Sequence, residues 1–207
     1  DLGFVSWYRN VGTYQLSQWD WIYLPLYAHG AFTQSVFAAD LDDDGDLDVL
    51  SASDEISWSE NDGTIPSSPS SHWTEHVVST VPNARSVSAA DVDGDGDLDV
   101  LAGLIQTDSV VWFENNGTPA SGAWAQRSIS TSADGVVSVV AADVDGDGDT
   151  DVLSASPLDD TIAWYENDGT PLLGAWTEPV VSTSADSARA VFAADIDGDG
   201  DTDVLSA

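Results

Sequence analysis

The sequence predicts an all-β fold, a β-propeller built from four-stranded antiparallel blades, and three observations predict it. A nine-residue acidic loop occurs four times, beginning at Asp40, Asp91, Asp143 and Asp195, so successive copies lie 51, 52 and 52 residues apart. A period of this size marks propellers and related repeat arrays. The segments around each loop keep step with it and read as short strands, four to a repeat. No segment shows the 3.6-residue periodicity of a helix, and β-branched and small residues dominate throughout.

Within one repeat the strands follow in a fixed order, A to D. Strand A precedes the acidic loop, as in Ser35-Val36-Phe37-Ala38-Ala39 or Ala190-Val191-Phe192-Ala193-Ala194. Strand B follows it with Asp-Val-Leu-Ser-Ala, varied to Val100-Leu101-Ala102-Gly103 in the second copy. Strand C alternates with period two: Ile56, Trp58 and Glu60 share a face, as do Val110, Trp112 and Glu114, and Ile162, Trp164 and Glu166. Its N-terminal counterpart is Val5, Trp7 and Arg9. Each C strand ends in Asn-x-Gly-Thr, from Asn10, Asn61, Asn115 and Asn167, a turn that needs positive φ. Strand D follows after variable Pro/Ser/Gly stretches, as at Trp73 to Thr80 and Trp176 to Thr183.

The chain starts in a C strand and stops after a B strand, so its ends supply complementary halves of one blade. The expected architecture is a single domain over residues 1–207 with four repeats of about 52 residues. The ring would be closed by strands C and D from the front and A and B from the back, which hides the open sheet edges. The alternatives are half of an eight-bladed ring shared by two chains, or a fragment of a larger propeller. Monomer and homodimer both remain open.

The acidic loops occupy residues 40–48, 91–99, 143–151 and 195–203. Each places aspartates at positions 1, 3, 5, 7 and 9 and a glycine at position 6. Two ionised carboxylates about 5 Å apart repel by about 3 kcal/mol at an effective dielectric near 20, and each loop holds several such pairs. Oxygen-only donors on a tightly turning backbone suit a hard cation of flexible coordination, calcium before magnesium. The expectation is four Ca2+ sites, one per repeat. An EF-hand or dockerin loop would need an acidic residue at position 12, where Ser51, Ala102, Ser154 and Ser206 stand.

Composition narrows the partners. The formal charge is −33, from 37 acidic residues against four arginines and no lysine. Four bound dications would leave −33 + 8 = −25. Nucleic acid and anionic membranes are excluded as partners, because phosphate binding needs clustered Lys and Arg. No apolar run approaches the length of a membrane span, so no membrane insertion is expected. There is no Cys, hence no disulfide framework, and no Met, which reads as a processed or excised product. Weak calcium sites fill at extracellular concentrations, so the protein is expected to be secreted or on the cell surface.

These residues resemble the FG-GAP calcium-binding repeats of integrin α-type proteins, also called VCBS repeats. The matching motif, D-x-D-G-D-G-x-x-D followed by a short strand, recurs in register over nearly the whole chain. The resemblance implies a β-propeller with calcium held between the first two strands of each blade. By motif position the ligands would be Asp40, Asp42, Asp44, Asp46 and Asp48 in the first loop and Asp91, Asp93, Asp95, Asp97 and Asp99 in the second. They would be Asp143, Asp145, Asp147, Asp149 and Asp151 in the third and Asp195, Asp197, Asp199, Asp201 and Asp203 in the fourth. Asp46, Asp97, Asp149 and Asp201 would ligate through the backbone carbonyl. Two departures stand out. Family rings usually have seven blades, and the first loop carries Asp43 where the others have Gly94, Gly146 and Gly198.

No phosphate loop, zinc pattern or Ser/His/Asp order is present, so a non-catalytic role is expected. His29, His72 and His76 show no metal spacing. Glu60, Glu114 and Glu166 repeat, which makes them poor candidates for a single acid/base pair. Arg85 and Arg189 precede acidic loops and either offset their charge or pair with a neighbouring blade. Trp7, Trp58, Trp112 and Trp164 read as packing between sheets, with a sugar-stacking platform as the alternative. Trp73, Trp124 and Trp176 divide between packing and ligand contact. The first repeat breaks the pattern with Trp19, Trp21, Tyr23 and Tyr27, which are therefore the candidate ligand-binding aromatics. The leading function is a calcium-stabilised extracellular adhesion module for glycans or proteins. The alternatives are an architectural repeat module and an accessory propeller of a polysaccharide-degrading enzyme.

Overall fold

The computed structural model describes residues 3–10, 21–29, 33–63, 73–122, 124–174 and 176–207. Sixteen strands and one 3₁₀ turn, Pro171–Leu173, make up its regular structure. A hairpin of β1 (Gly3–Asn10) and β2 (Trp21–His29) comes first. Blade 1 contains β3 (Ser35–Ala39), β4 (Asp48–Ala52), β5 (Ile56–Asn61) and β6 (Trp73–Ser79). Blade 2 contains β7 (Ala84–Ala90), β8 (Asp99–Leu104), β9 (Ser109–Glu114) and β10 (Ala125–Ser130). Blade 3 contains β11 (Ser138–Ala142), β12 (Asp151–Ser156), β13 (Thr161–Tyr165) and β14 (Val180–Ser182). The pair β15 (Val191–Ala194) and β16 (Asp203–Ser206) ends the chain. Each blade is a four-stranded antiparallel meander in sequence order, as the repeat pattern predicts.

The last D strand is shorter than expected. Pairing over Trp176 to Thr183 is reduced to β14 and a lone Glu166–Thr177 bridge. Pro179 explains the gap: it accepts a bond from the Trp164 N–H through its carbonyl but has no N–H to return.

The core lies between blades. Period-two alternation sends successive residues of one strand into opposite interfaces, and β9 shows this directly. Val111 and Phe113 enter the core shared by blades 1 and 2, while Val110 and Trp112 enter the core shared by blades 2 and 3. A third core joins blade 3 to β15 and β16 through Leu153, Ala155, Ile162, Ala188 and Val191. A central blade is thus covered on both faces, and β8 and β12 are buried at every residue. In β5 the alternation is one of size, not polarity: Ser57 and Ser59 are buried beside Ile56 and Trp58.

A repeated hydroxyl contact fixes one blade on the next. Ser35 Oγ accepts the Val87 N–H at 3.2 Å, Ser86 Oγ the Val139 N–H at 3.0 Å, and Ser138 Oγ the Val191 N–H at 3.2 Å. The fourth equivalent position is Ala190, which has no hydroxyl.

The ring does not close. The sheets β1–β2 and β15–β16 remain separate two-stranded units, not one completed blade. Strand A of each blade packs on strand A of the next, in the series β3, β7, β11, β15, and among the described residues no comparable packing joins β15 to β3. Among the described residues β16 pairs with β15 alone and β1 with β2 alone. The result is an open, propeller-like array.

Candidate metal centre

Each acidic loop joins strand A to strand B, and the second is representative. Asp91, at position 1, accepts the Gly94 N–H on Oδ1 at 2.8 Å and the Gly96 N–H on Oδ2 at 3.0 Å. Both glycines have positive φ, 75° and 99°, which lets the backbone curl back onto one carboxylate. Asp93 Oδ1 accepts the Asp95 N–H at 3.3 Å, and Asp95 Oδ1 the Asp97 N–H at 2.9 Å. Position 9 closes the loop. Asp99 is fully buried, and its two oxygens accept the Val92 N–H at 3.0 Å and the Asn115 N–H at 2.8 Å.

This folding gathers like charges. Asp91, Asp93 and Asp99 each bring a carboxylate oxygen within 4.8 Å of the others, as do Asp40, Asp42 and Asp48, and Asp143, Asp145 and Asp151. In the fourth loop the grouped residues are Asp195, Asp197 and Asp199, all exposed. Asp203 still accepts the Ile196 N–H at 3.0 Å but is exposed, and no Asn of a C strand closes on it among the described residues. Its counterparts Asp48, Asp99 and Asp151 are fully buried.

The asparagine that ends each C strand links consecutive loops. Asn115 Nδ2 donates to Leu98 O at 3.1 Å within its own blade and to Leu41 O at 3.2 Å in the preceding loop. Asn167 does the same for Thr150 and Val92, at 3.1 and 2.9 Å. The position-7 aspartates face the turn that follows each C strand. A Cβ on Gly117 would lie 2.9 Å from Asp97 Oδ2, and one on Gly169 equally close to Asp149 Oδ2. Their carboxylates lie beside that turn and are not among the groups formed by positions 1, 3 and 9.

Asp43 changes the first loop locally. It adopts φ 58°, a left-handed conformation that Asp tolerates better than most residues, where the other loops use glycine. Asp40 Oδ1 then accepts the Asp44 N–H at 3.1 Å instead of a position-4 N–H. Asp42 Oδ1 is buried and has no hydrogen-bond partner. A buried oxygen left this way within a carboxylate group fits a cation.

Burial raises the pKa of Asp48 to about 6 and that of Asp99 to about 7, against the lowering effect of two backbone N–H donors each. Asp151 is raised for the same reason. Burial also raises Asp42 and Asp93, followed by repulsion from Asp44 and Asp95. Folded Asp48 and Asp99 hold protons at pH values where the unfolded chain, titrating near 3.8, has released them. Their contribution is complete below the unfolded pKa and is lost as pH rises through about 6 and about 7. The melting temperature of the metal-stripped chain is expected to fall as pH is raised across this window. A bound cation, which favours the carboxylate, should flatten or reverse the slope. A metal-free melt that rises with pH would contradict the assignment.

The other candidate residues divide clearly. Trp58 and Trp112 are fully buried and Trp164 is half-buried, all in inter-blade cores. Trp124 and Trp176 pack against the same cores, as the packing reading expects. The side chain of Trp7 and residue Trp19 lie outside the described residues. The backbone of β2 sets Trp21, Tyr23 and Tyr27 opposite Asn10, Tyr8 and Val5, and their side chains also lie outside the described residues. The repeated glutamates are taken up locally: Glu60 by His76 at 2.6 Å, Glu114 by Arg127 at 2.6 and 3.0 Å, and Glu166 by Thr177 at 2.6 Å. His76 also stacks on Trp58 with ring centroids 4.6 Å apart, a contact no sequence motif announced. Arg85 reaches Gln34 of the preceding blade, not an aspartate.

A family profile described as an FG-GAP-like repeat matches residues 51–102, 103–154 and 143–206. The chain belongs to the FG-GAP-like repeat family. Two of the matches, 51–102 and 103–154, begin in or just after strand B of one blade and end in strand B of the next. Each of these two matches therefore straddles two blades and carries one acidic loop near its C-terminal end, in the A–B turn. No curated protein matches the chain.

Proposed function

We propose that the chain is a calcium-stabilised extracellular module that works by binding, with the four repeats acting as one domain over residues 1–207. The observation that carries this reading is the acidic group itself, built alike in three blades from positions 1, 3 and 9, with the position-9 carboxylate buried. Oxygen donors alone, on loops shaped by glycines, favour calcium. Asp91, Asp93, Asp95 and Asp99, with the Asp97 carbonyl, would hold the ion in blade 2, and the equivalent residues in the other loops. Calcium supplies charge neutralisation there, and the chain's own hydrogen bonds set the loop. The structural role follows from equivalence: every repeat carries the site, so the ions support the scaffold.

Recognition belongs where the repeats differ. Trp19, Tyr23 and Tyr27 have no counterparts in the later blades and remain the candidate contacts for a glycan or a protein ligand, whereas Trp21 pairs with Asn10 as Trp73 pairs with Asn61 and so takes the place of a repeated D-strand tryptophan. The function is non-catalytic, at a cell surface or in secretion. The near-identity of the blades also supports the second reading, a purely architectural repeat module.

Calorimetric titration of the metal-stripped chain tests the first step. Calcium should bind with three similar sites and a weaker fourth, since Asp203 lacks its asparagine, and magnesium should bind poorly. Asn115→Ala should weaken two sites together, because its amide holds the loops of blades 1 and 2. It should also cost about 1–3 kcal/mol of stability. No binding heat with calcium would end the reading. A glycan and protein array, run with and without calcium, separates recognition from architecture: binding lost in Tyr27→Ala supports a ligand site, and a blank array supports the scaffold alone.

A further inference from the structure

The glutamate just before the asparagine that ends a C strand is held differently in each blade, yet all three blades carry it. Glu60 lies between Ser59, which pairs with Val49, and Asn61, whose N–H reaches Asp48. Glu114 lies between Phe113, paired with Val100, and Asn115, bonded to Asp99. Glu166 lies between Tyr165, paired with Val152, and Asn167, bonded to Asp151. Each glutamate is thus the cross-strand neighbour of a position-9 aspartate. Like charges set directly opposite one another destabilise a sheet. The repulsion also reaches position 3. Asp42, raised first by burial and then by Asp44, is repelled by Glu60 as well, and Asp93, raised by burial and Asp95, by Glu114.

The D strand does not account for this glutamate. Opposite the C-strand tryptophan it presents His76 in blade 1 and Arg127 in blade 2. Pro179 holds that place in blade 3, its carbonyl accepting the Trp164 N–H at 3.2 Å. Glu60 accordingly meets an imidazole at 2.6 Å, and Glu114 a guanidinium at 2.6 and 3.0 Å. Among the described residues Glu166 meets the Thr177 hydroxyl at 2.6 Å, and no Arg or His occurs between Trp176 and Thr183. A glutamate present only to form an ion pair has no use in blade 3. What the three glutamates share is the acidic loop beside them.

We propose that Glu60, Glu114 and Glu166 tune the calcium affinity of the loops from outside the ligand group, and that the D-strand partner sets how much of each charge the ion feels. The proposal rests on the calcium reading of the loops. Arg127 offsets Glu114 and leaves blade 2 the weaker site, whereas Glu166 keeps its charge and makes blade 3 the tighter one. The action is electrostatic and needs no ligation by the glutamate. A unit charge on the adjacent strand alters the affinity for a dication about two- to five-fold once salt screens it. A difference of that size leaves the sites similar but fills them in order, blade 3 before blade 2, as calcium rises.

NMR of the isotope-labelled whole chain, titrated with buffered calcium at constant ionic strength, reads the sites separately. Gly96 and Gly148 each donate an N–H to the position-1 aspartate of their own loop, at 3.0 and 3.1 Å, and so report blades 2 and 3. The Gly148 signal should move at lower calcium than the Gly96 signal. Arg127→Gln should lower the Gly96 midpoint about two- to five-fold, while the lost ion pair lowers the melting temperature of the metal-free chain. Glu114→Gln should raise that midpoint by a similar factor, and adding Arg127→Gln to it should change little further. Pro179→Arg, which brings a cation to blade 3, should raise the Gly148 midpoint. An Arg127→Gln midpoint that is unchanged or raised overturns the inference, because breaking a merely structural ion pair would weaken the site. So does a Gly148 midpoint above that of Gly96 in the unaltered chain. Either result, with signals that still respond to calcium, leaves the calcium reading standing. Glycine signals that never move with calcium overturn both.

Discussion

Stripping calcium from the chain should lower its melting temperature by about 10–15 °C. With free calcium at ten times its Kd, each site contributes about 1.4 kcal/mol to the folded state. The three loops with a buried position-9 aspartate then supply about 4 kcal/mol together, and the exposed fourth loop adds less. For a chain of this size one kcal/mol moves the midpoint by about 2–4 °C. The loss is sharpened by what remains when the ions leave. Asp42, Asp93 and Asp99 stay close to like charges, and the whole chain returns to a formal −33. Salt alone should restore part of the loss by screening the exposed carboxylates, but little of it at the buried position 9. Differential scanning calorimetry in excess chelator, at matched ionic strength, measures the shift. An unchanged midpoint would remove calcium from the account of stability.

The repeat carried most of this into view before any coordinates. A fixed 52-residue frame with period-two strands specifies blade boundaries closely, because a one-residue slip would turn every strand inside out. The strands at Ser35–Ala39 and Asp48–Ala52 fall where that pattern puts them. The role of position 9 was only half legible. Asp99 reads as one ligand among five, whereas its burial and its bond to Asn115, sixteen residues away, make it the corner that ties loop to C strand. The Asn115 contact to Leu41, 74 residues away, has no local signature at all. Ring closure was the reading that failed. Closure depends on the angle between blades, which the repeat pattern does not carry. That angle is set by how Trp112, Phe113 and Tyr165 fill the wedges between sheets, and no one-dimensional pattern encodes it.

Those wedges give the second large expectation. Trp112→Ala should cost about 3–5 kcal/mol, the range for emptying a fully buried tryptophan site. Trp112 is wholly enclosed in the core between blades 2 and 3, opposite Leu101 on one side and Arg127 on the other. Its loss removes the largest side chain from one interface and leaves the neighbouring interfaces intact. Because a repeat array is held by nearest-neighbour contacts, the chain should then melt in two steps, blades 1 and 2 apart from blade 3 with β15–β16. A matched pair controls for position within the array. Leu101→Ala should cost about 2–5 kcal/mol, while Leu205→Ala, at a 42% exposed position, should change stability by less than about 0.5 kcal/mol. Equal costs at the two leucines would mean that β16 is covered within one chain, and the open array would have to be replaced by a closed one.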